Sequence, residues 1–263
     1  MLRHYGFNPA ADYSTGVIRR QAVRFIRHSR SPFFAYIAPF APHAPATPLP
    51  KDETLFTHLK PWRPASYNEA DVSDKPSWVR ALPRLKAPRR ASEDERRRDQ
   101  LRSLQPVDRM VEAIVAQLAS SGRLGNTLII YMSDNGKAWG EHRWVRKEAA
   151  WEESIRIPMV IRYDPLTPQS RVDLHLVSNV DIAPTLADLA GIPAPGAEGL
   201  SLVPLLEGQH PSWRTSLLLE HVKLEGFPDP DTFCGSVRPT GLPTCNTTPE
   251  KRSSTTSAQI RSS

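Results

Sequence analysis

Cysteine is almost missing from this 263-residue chain. Its only two, Cys234 and Cys245, exclude a disulfide-dense scaffold. Long apolar runs are missing as well. The most apolar stretch, from Phe33 to Pro42, is interrupted by proline and far too short to span a bilayer. The opening MLRHYGFNPAADYSTG lacks the basic-then-apolar order of a secretion signal, so no targeting signal is expected within this chain and its compartment stays open. An acidic surplus is absent too: 34 lysines and arginines face 28 acids, for a formal charge of +6. That balance can draw phosphates, sulfates or anionic polymers, but it establishes no partner. With 39% hydrophobic and 24% charged residues, a fibrous, wholly disordered or membrane-spanning chain is excluded.

Proline is what the chain has in excess, 26 residues, so much of it must be ordered loop or tail between modest regular elements. The length suits one α/β domain with a real core. Only one helix candidate, TGVIRRQAVRFIRHS over 15–29, precedes the first strand candidate. That leaves little upstream material for the middle of a sheet, and predicts a fragment rather than a complete small domain.

Phe33 to Ile37 reads as a short buried strand in the aromatic and β-branched vocabulary of sheets. It runs into APHAPATPLP, whose four prolines forbid a ladder or a helix and hold His43 in a stiffened, extended loop. Residues 51–100 read as an irregular, basic insertion. Between Arg80 and Arg102 nine cations face four acids without apolar periodicity. The segment is either a solvated face or a polyanion patch, and the absence of interleaved aromatics argues against nucleic acid. Leu101, Leu104, Val107, Val111, Ile114, Val115 and Leu118 then mark an amphipathic helix stopped at Ser120-Ser121-Gly122.

Thr127 to Met132, TLIIYM, shows no alternation and predicts a central parallel strand covered on both faces. A second strand is expected at Met159 to Arg162. Residues 180–190 predict a helix with Asp181 as cap, Pro184 in its first turn and Gly191 at its end. From about Thr240 the composition predicts a disordered tail.

Ligands of open parallel sheets bind beyond the carboxyl ends of strands. Ser133-Asp134-Asn135-Gly136 falls at such an end, and a carboxylate beside an amide carbonyl offers two hard oxygens of the kind Ca2+ or Mg2+ prefers. Asp-Asn-Gly is also ordinary turn chemistry. The following Glu141, His142, Arg143, Arg146 and Lys147 form either a salt-bridge network or an anion pocket. In a pocket, the Lys147 ammonium and the imidazolium of His142 or His43 would neutralise a tetrahedral oxyanion. His58, His175, His210 and His221 read as surface or packing residues.

Five blocks, YIAPFAPHAPATP, YNEADVSDKPSW, LGNTLIIYMSDNG, GEHRWVRKEAAWEESIRIPMVIR and VSNVDIAPTLADLAGIPAPGAEGLSLVPLL, resemble successive blocks of the type I sulfatases, in the arylsulfatase and N-acetylglucosamine-6-sulfatase-like branch. The resemblance implies an alkaline-phosphatase-like α/β fold, with a mixed sheet between helices and a smaller C-terminal subdomain. On it, residues 1–208 are a partial catalytic domain, 209–239 begin the subdomain and 240–263 are tail. It further implies hydrolysis of aryl or carbohydrate sulfate esters around Ca2+, in a family often secreted, periplasmic or lysosomal. By motif, Asp134 and Asn135 resemble metal ligands, and Lys147 and His43 resemble sulfate contacts; His142 stands beside them as a further catalytic candidate. The formylglycine nucleophile, made from the C/S-x-P-S-R motif, has no counterpart here: Cys234 reads CGSVR and Cys245 reads CNTTP. The paired N-terminal aspartates of the family are absent too, so weak Ca2+ binding and no turnover are expected. A catalytically dead anion-binding protein, or another alkaline-phosphatase-superfamily hydrolase such as a phosphodiesterase, remains the alternative. The sequence leaves the oligomeric state open.

Overall fold

The computed structural model describes residues 11–30 and 32–222, together with the backbone of 233–237, 244–247 and 258–259. The chain divides into two compact units, Met1–Arg63 with Leu85–Thr127, and Pro64–Arg84 with Leu128–Ser263.

The first unit is built on two packed helices, α1 (Ser14–His28) and, after a four-residue α2 (Ser77–Arg80) that belongs to the other unit, α3 (Ala87–Ser120). α1 is the helix expected from its periodicity. It buries Thr15, Ala22 and Ile26 along one face and places Arg27 and His28 in the last turn, where cations oppose the helix dipole. Arg123 fastens the pair by donating to Ser29 O at 3.1 Å and to Ile26 O.

Residues 87–100, expected to be irregular, are the first half of α3, which buries Ser103, Val107, Met110 and Leu118 in its second half. The reason is electrostatic. Ala, Arg, Glu and Gln are strong helix formers, and no apolar stripe is needed when pairs at helical spacing carry the surface. Arg89 meets Glu93 at 2.9 Å, Arg98 Nε meets Glu95 at 2.9 Å and Arg102 meets Asp99 at 2.8 Å. Neighbouring chain secures it sideways: Arg63 grips Asp94 with two bonds of 2.8 and 2.6 Å, and Arg102 donates to Leu55 O at 2.9 Å.

The strand expected at Phe33–Ile37 does not form. No described strand pairs with it to make a ladder, and Phe34 and Tyr36 are 71% and 86% exposed. His43 occupies a turn rather than an extended loop, closed by its own N–H donating to Phe40 O at 2.9 Å.

In the second unit β1 (Ile129–Met132) pairs with β2 (Met159–Arg162) in a two-stranded antiparallel ladder, with Ile129 opposite Arg162 and Met132 opposite Met159. The parallel, doubly covered strand expected here is thus corrected. A parallel partner needs a crossover of a dozen or more residues, usually a helix, to return the chain to its starting end. Residues 133–158 hold only the four-residue α4 (Glu152–Ile155) and return where they left. The ladder buries one face: Met159 and Ile161 pack on Leu202, Leu205 and Leu206, while Val160 between them is 61% exposed. Those leucines come from α6 (Val203–Leu206) and its lead-in.

α5 (Ile182–Ala190) forms as expected and ends at Gly191 in the left-handed conformation. Its cap lies earlier than expected. Ser178 and Asp181 make a reciprocal capping box on the preceding turn of 3-10 helix, and fully buried Asp181 also accepts from Leu200 N and from both terminal nitrogens of Arg214. Beyond it β3 (Leu217–His221), β4 (Phe233–Val237), β5 (Thr244–Thr247) and β6 (Ala258–Gln259) form an antiparallel sheet in chain order. Two of these strands fall within the stretch expected to be a disordered tail, and the remainder of that stretch lies outside the described residues.

Candidate functional site

The turn after β1 is held from several sides. Ser133 Oγ donates to Asn135 O at 2.9 Å, and Gly136 N donates to Ser154 O at 2.9 Å. A Cβ at Gly136 would lie 2.1 Å from the Glu153 carbonyl oxygen, so only glycine lets the turn approach α4 this closely. Asn135 donates Nδ2–H to Gly136 O at 2.9 Å, which leaves Oδ1 to accept from Lys147 Nζ at 3.0 Å. Two residues singled out from separate sequence blocks therefore touch. Asp134 beside them is exposed, and Ser133 Oγ lies 3.4 Å from its Oδ1.

The loop carrying Lys147 is stitched to residues 64–84. Asn68 N donates to Gly140 O and His142 N to Ser66 O, both at 2.8 Å, and Tyr67 forms a bridge with Glu141. His142 and Arg143 take left-handed φ angles of 52° and 63°. Side chains rarely adopt this region, at a cost of about 1 kcal/mol or more each, unless their surroundings over-determine it. Here they do. Arg143 spends its guanidinium on three carbonyls, Glu69 O at 3.0 Å, Leu82 O at 2.8 Å and Ala70 O at 2.9 Å. Glu141 is buried and accepts from Trp139 N at 2.5 Å. Most of the charged cluster is thus a structural network, and Lys147 is the member that reaches the turn beyond β1.

A small aromatic core lies beneath. Trp78 packs edge-on against Trp144 at 5.2 Å and tilted against Trp151 at 5.3 Å, and Trp144 donates its indole N–H to Lys147 O at 2.7 Å. His142 rests on Trp151 at 4.4 Å and turns Nδ1 toward Glu69 Oε2 at 3.2 Å. Burial, reinforced by the Glu141 carboxylate, raises the Glu153 carboxyl above its usual range, while His142 lowers it.

His43 belongs to the first unit. Its Nδ1 lies 2.8 Å from the Ala44 carbonyl and its ring stands 4.9 Å from Phe40. The sequence reading singled out no individual residue of YNEADVSDKPSW, yet Glu69, Lys75 and Trp78 all come from it. The only available signal was a lysine and three acids inside a block otherwise valued for its resemblance.

A divalent ion is poorly served by these residues. Asp134 and Asn135 offer three side-chain oxygens at most against the six to eight that Ca2+ takes, and an ammonium already occupies one of them. Among the described residues no group of three or more His, Cys, Asp or Glu side chains is arranged to hold a metal. No helix among them is long and apolar enough to cross a membrane.

The fold is of the alkaline-phosphatase-like α/β class. A phosphonate monoester hydrolase from Agrobacterium radiobacter superposes with a TM-score of 0.75 at 20% identity, over 92% of this chain and 53% of that one. A protein solved with its substrate D-glucosamine-2-N,6-O-disulfate superposes with a TM-score of 0.72 at 23% identity, over 89% of this chain and 60% of that one. Within that class the chain belongs to the sulfatase family, whose profile matches residues 3–192. An arylsulfatase of Volvox carteri is 37% identical over 211 residues, 68% of this chain and 32% of that protein. The N-acetylglucosamine-6-sulfatase of Homo sapiens is 31% identical over 253 residues, 92% of this chain and 45% of that protein. The chain therefore spans 32% and 45% of the length of these two curated relatives.

Proposed function

We propose that the protein is a sulfuric ester hydrolase by descent, one that recognises aryl or carbohydrate sulfate esters through Lys147. The observation that carries this reading is the 3.0 Å bond from Lys147 Nζ to Asn135 Oδ1, at a strand end in a chain of the sulfatase family. An incoming sulfate would take over part of the ammonium's bonding, and a compact charge in a partly buried site holds an anion better than an exposed one.

The family's nucleophile motif is absent from these 263 residues, so the reading separates recognition from turnover. We expect the purified chain to release no product from a small aryl sulfate, with or without added Ca2+. Inorganic sulfate should still bind, and Lys147→Ala should weaken it about tenfold, the loss of one charge-assisted bond. Titration calorimetry and product release test the two halves. Equal sulfate affinity in Lys147→Ala would overturn the clamp. A Lys147-dependent rate above buffer would overturn the expected lack of turnover and show that another residue acts as nucleophile.

A further inference from the structure

Residues 64–84 supply both hydrogen-bond partners of the buried His142: Ser66 O for its backbone N–H and Glu69 for its ring. Glu69 in turn faces Lys75, whose side chain is only 2% exposed and lies 3.7 Å from Glu69 Oε1 and 3.0 Å from Asp74 Oδ2. A buried ammonium is tolerated only beside counter-charge, and here it backs the carboxylate that faces the imidazole. We infer that Glu69, anchored by Lys75, is the positioning carboxylate of His142, fixing the ring in its Nδ1–H tautomer and leaving Nε2 as the acceptor for a hydroxyl or water.

The chemistry follows from the inventory of lone pairs. A carboxylate can only accept, so the nitrogen 3.2 Å from it must carry the hydrogen. A neutral imidazole has one N–H, so Nε2 is left with its lone pair and no described residue fills it. Rotation of the ring is opposed by its tilted contact with Trp151 at 4.4 Å, and its backbone is held left-handed by the network around Arg143. The ring stands among Glu69, Glu141 and Glu153, with Lys75 and Asp74 behind Glu69. A neutral acceptor cannot bind a sulfate oxygen, which needs a donor. His142 is thereby suited to the alcohol or water side of an ester hydrolysis, and Lys147 to the oxyanion. That assignment of ligands rests on the sulfatase reading, whereas the tautomer does not.

The test is a long-range proton–nitrogen spectrum of the full chain labelled with 15N-histidine, recorded at alkaline pH where imidazoles are neutral. His142→Gln identifies the signal by its loss. The expected pattern is Nδ1–H for His142, collapsing to a mixture of tautomers in Glu69→Gln, because an amide can donate as readily as it accepts. Should Glu69→Gln fail to fold, Glu69→Gln with Lys75→Met removes the buried ammonium along with its partner and carries the same expectation. An Nε2–H ring in the parent chain, or a pure Nδ1–H ring in the variants, would overturn the inference. The spectrum needs no turnover, so a chain that binds no sulfate would sink the functional reading and leave this result readable.

Discussion

Glu153 shows how the site's electrostatics reach stability. Burial and then Glu141 raise its carboxyl above the usual range, so the folded chain keeps that proton to higher pH than the unfolded one. Below the unfolded value both states are protonated and nothing is lost. Between the two values the folded state binds more protons, and stability falls as pH rises. We expect Glu153→Gln to flatten this fall above the ordinary glutamate range and to raise the urea midpoint near neutrality. An unchanged slope in urea titrations across that range would show that the charge is relieved locally. Residues of this kind differ in how legible they were. Asn135 and Lys147 stood out because strand, turn and charge follow one another within a short stretch. Glu69 meets His142 across 73 positions, and no periodicity spans that distance. Asp181 was expected to cap α5 and serves instead in the capping box one turn earlier, and its clasp on Arg214 was not readable, for the same reason.

At the scale of elements, α3 is two helices in kind. Its second half buries an apolar face and was visible as a period. Its first half has no such face, and ion pairs and side bonds hold it instead, so a search for apolar spacing passed over it. We expect hydrogen exchange to divide it accordingly. Amides of 103–118 should be strongly protected, and those of 88–97 should open more readily, faster still at about 1 M salt, where the Debye length shrinks to 3 Å. Uniform protection insensitive to salt would mean that packing rather than charge sustains the first half. β1 misled in the opposite way. Its lack of alternation is the vocabulary of a doubly covered strand, yet Val160 opposite Tyr131 stays largely open. Register and direction depend on the route of the connection, which composition does not encode.

For the whole molecule, the decisive property is how much apolar surface the described fold leaves in water. Phe34, Tyr36 and Phe40 lie exposed along one short stretch of the first unit. Exposed apolar patches bind dyes and other copies of the chain. We expect the purified protein to enhance the fluorescence of an anilinonaphthalene dye and to associate as its concentration rises. Phe34→Ser combined with Tyr36→Ser should reduce both effects, read by dye titration and light scattering. No change in either would show that the stretch is covered in solution.

Met132 and Met159 face each other across the last rung of the β1–β2 ladder, so residues 133–158 depart and return at one point, where paired Cα atoms stand about 5 Å apart. With residues 64–84 that loop has a core of its own, Val72, Val79, Ala138, Trp144, Ala149 and Trp151, distinct from the leucine cluster under β2. The loop carrying Lys147 therefore leaves the ladder through one residue pair, while residues 64–84 join its core from a separate stretch of chain. Because the two cores share no residue, hydrogen exchange is expected to read their opening separately.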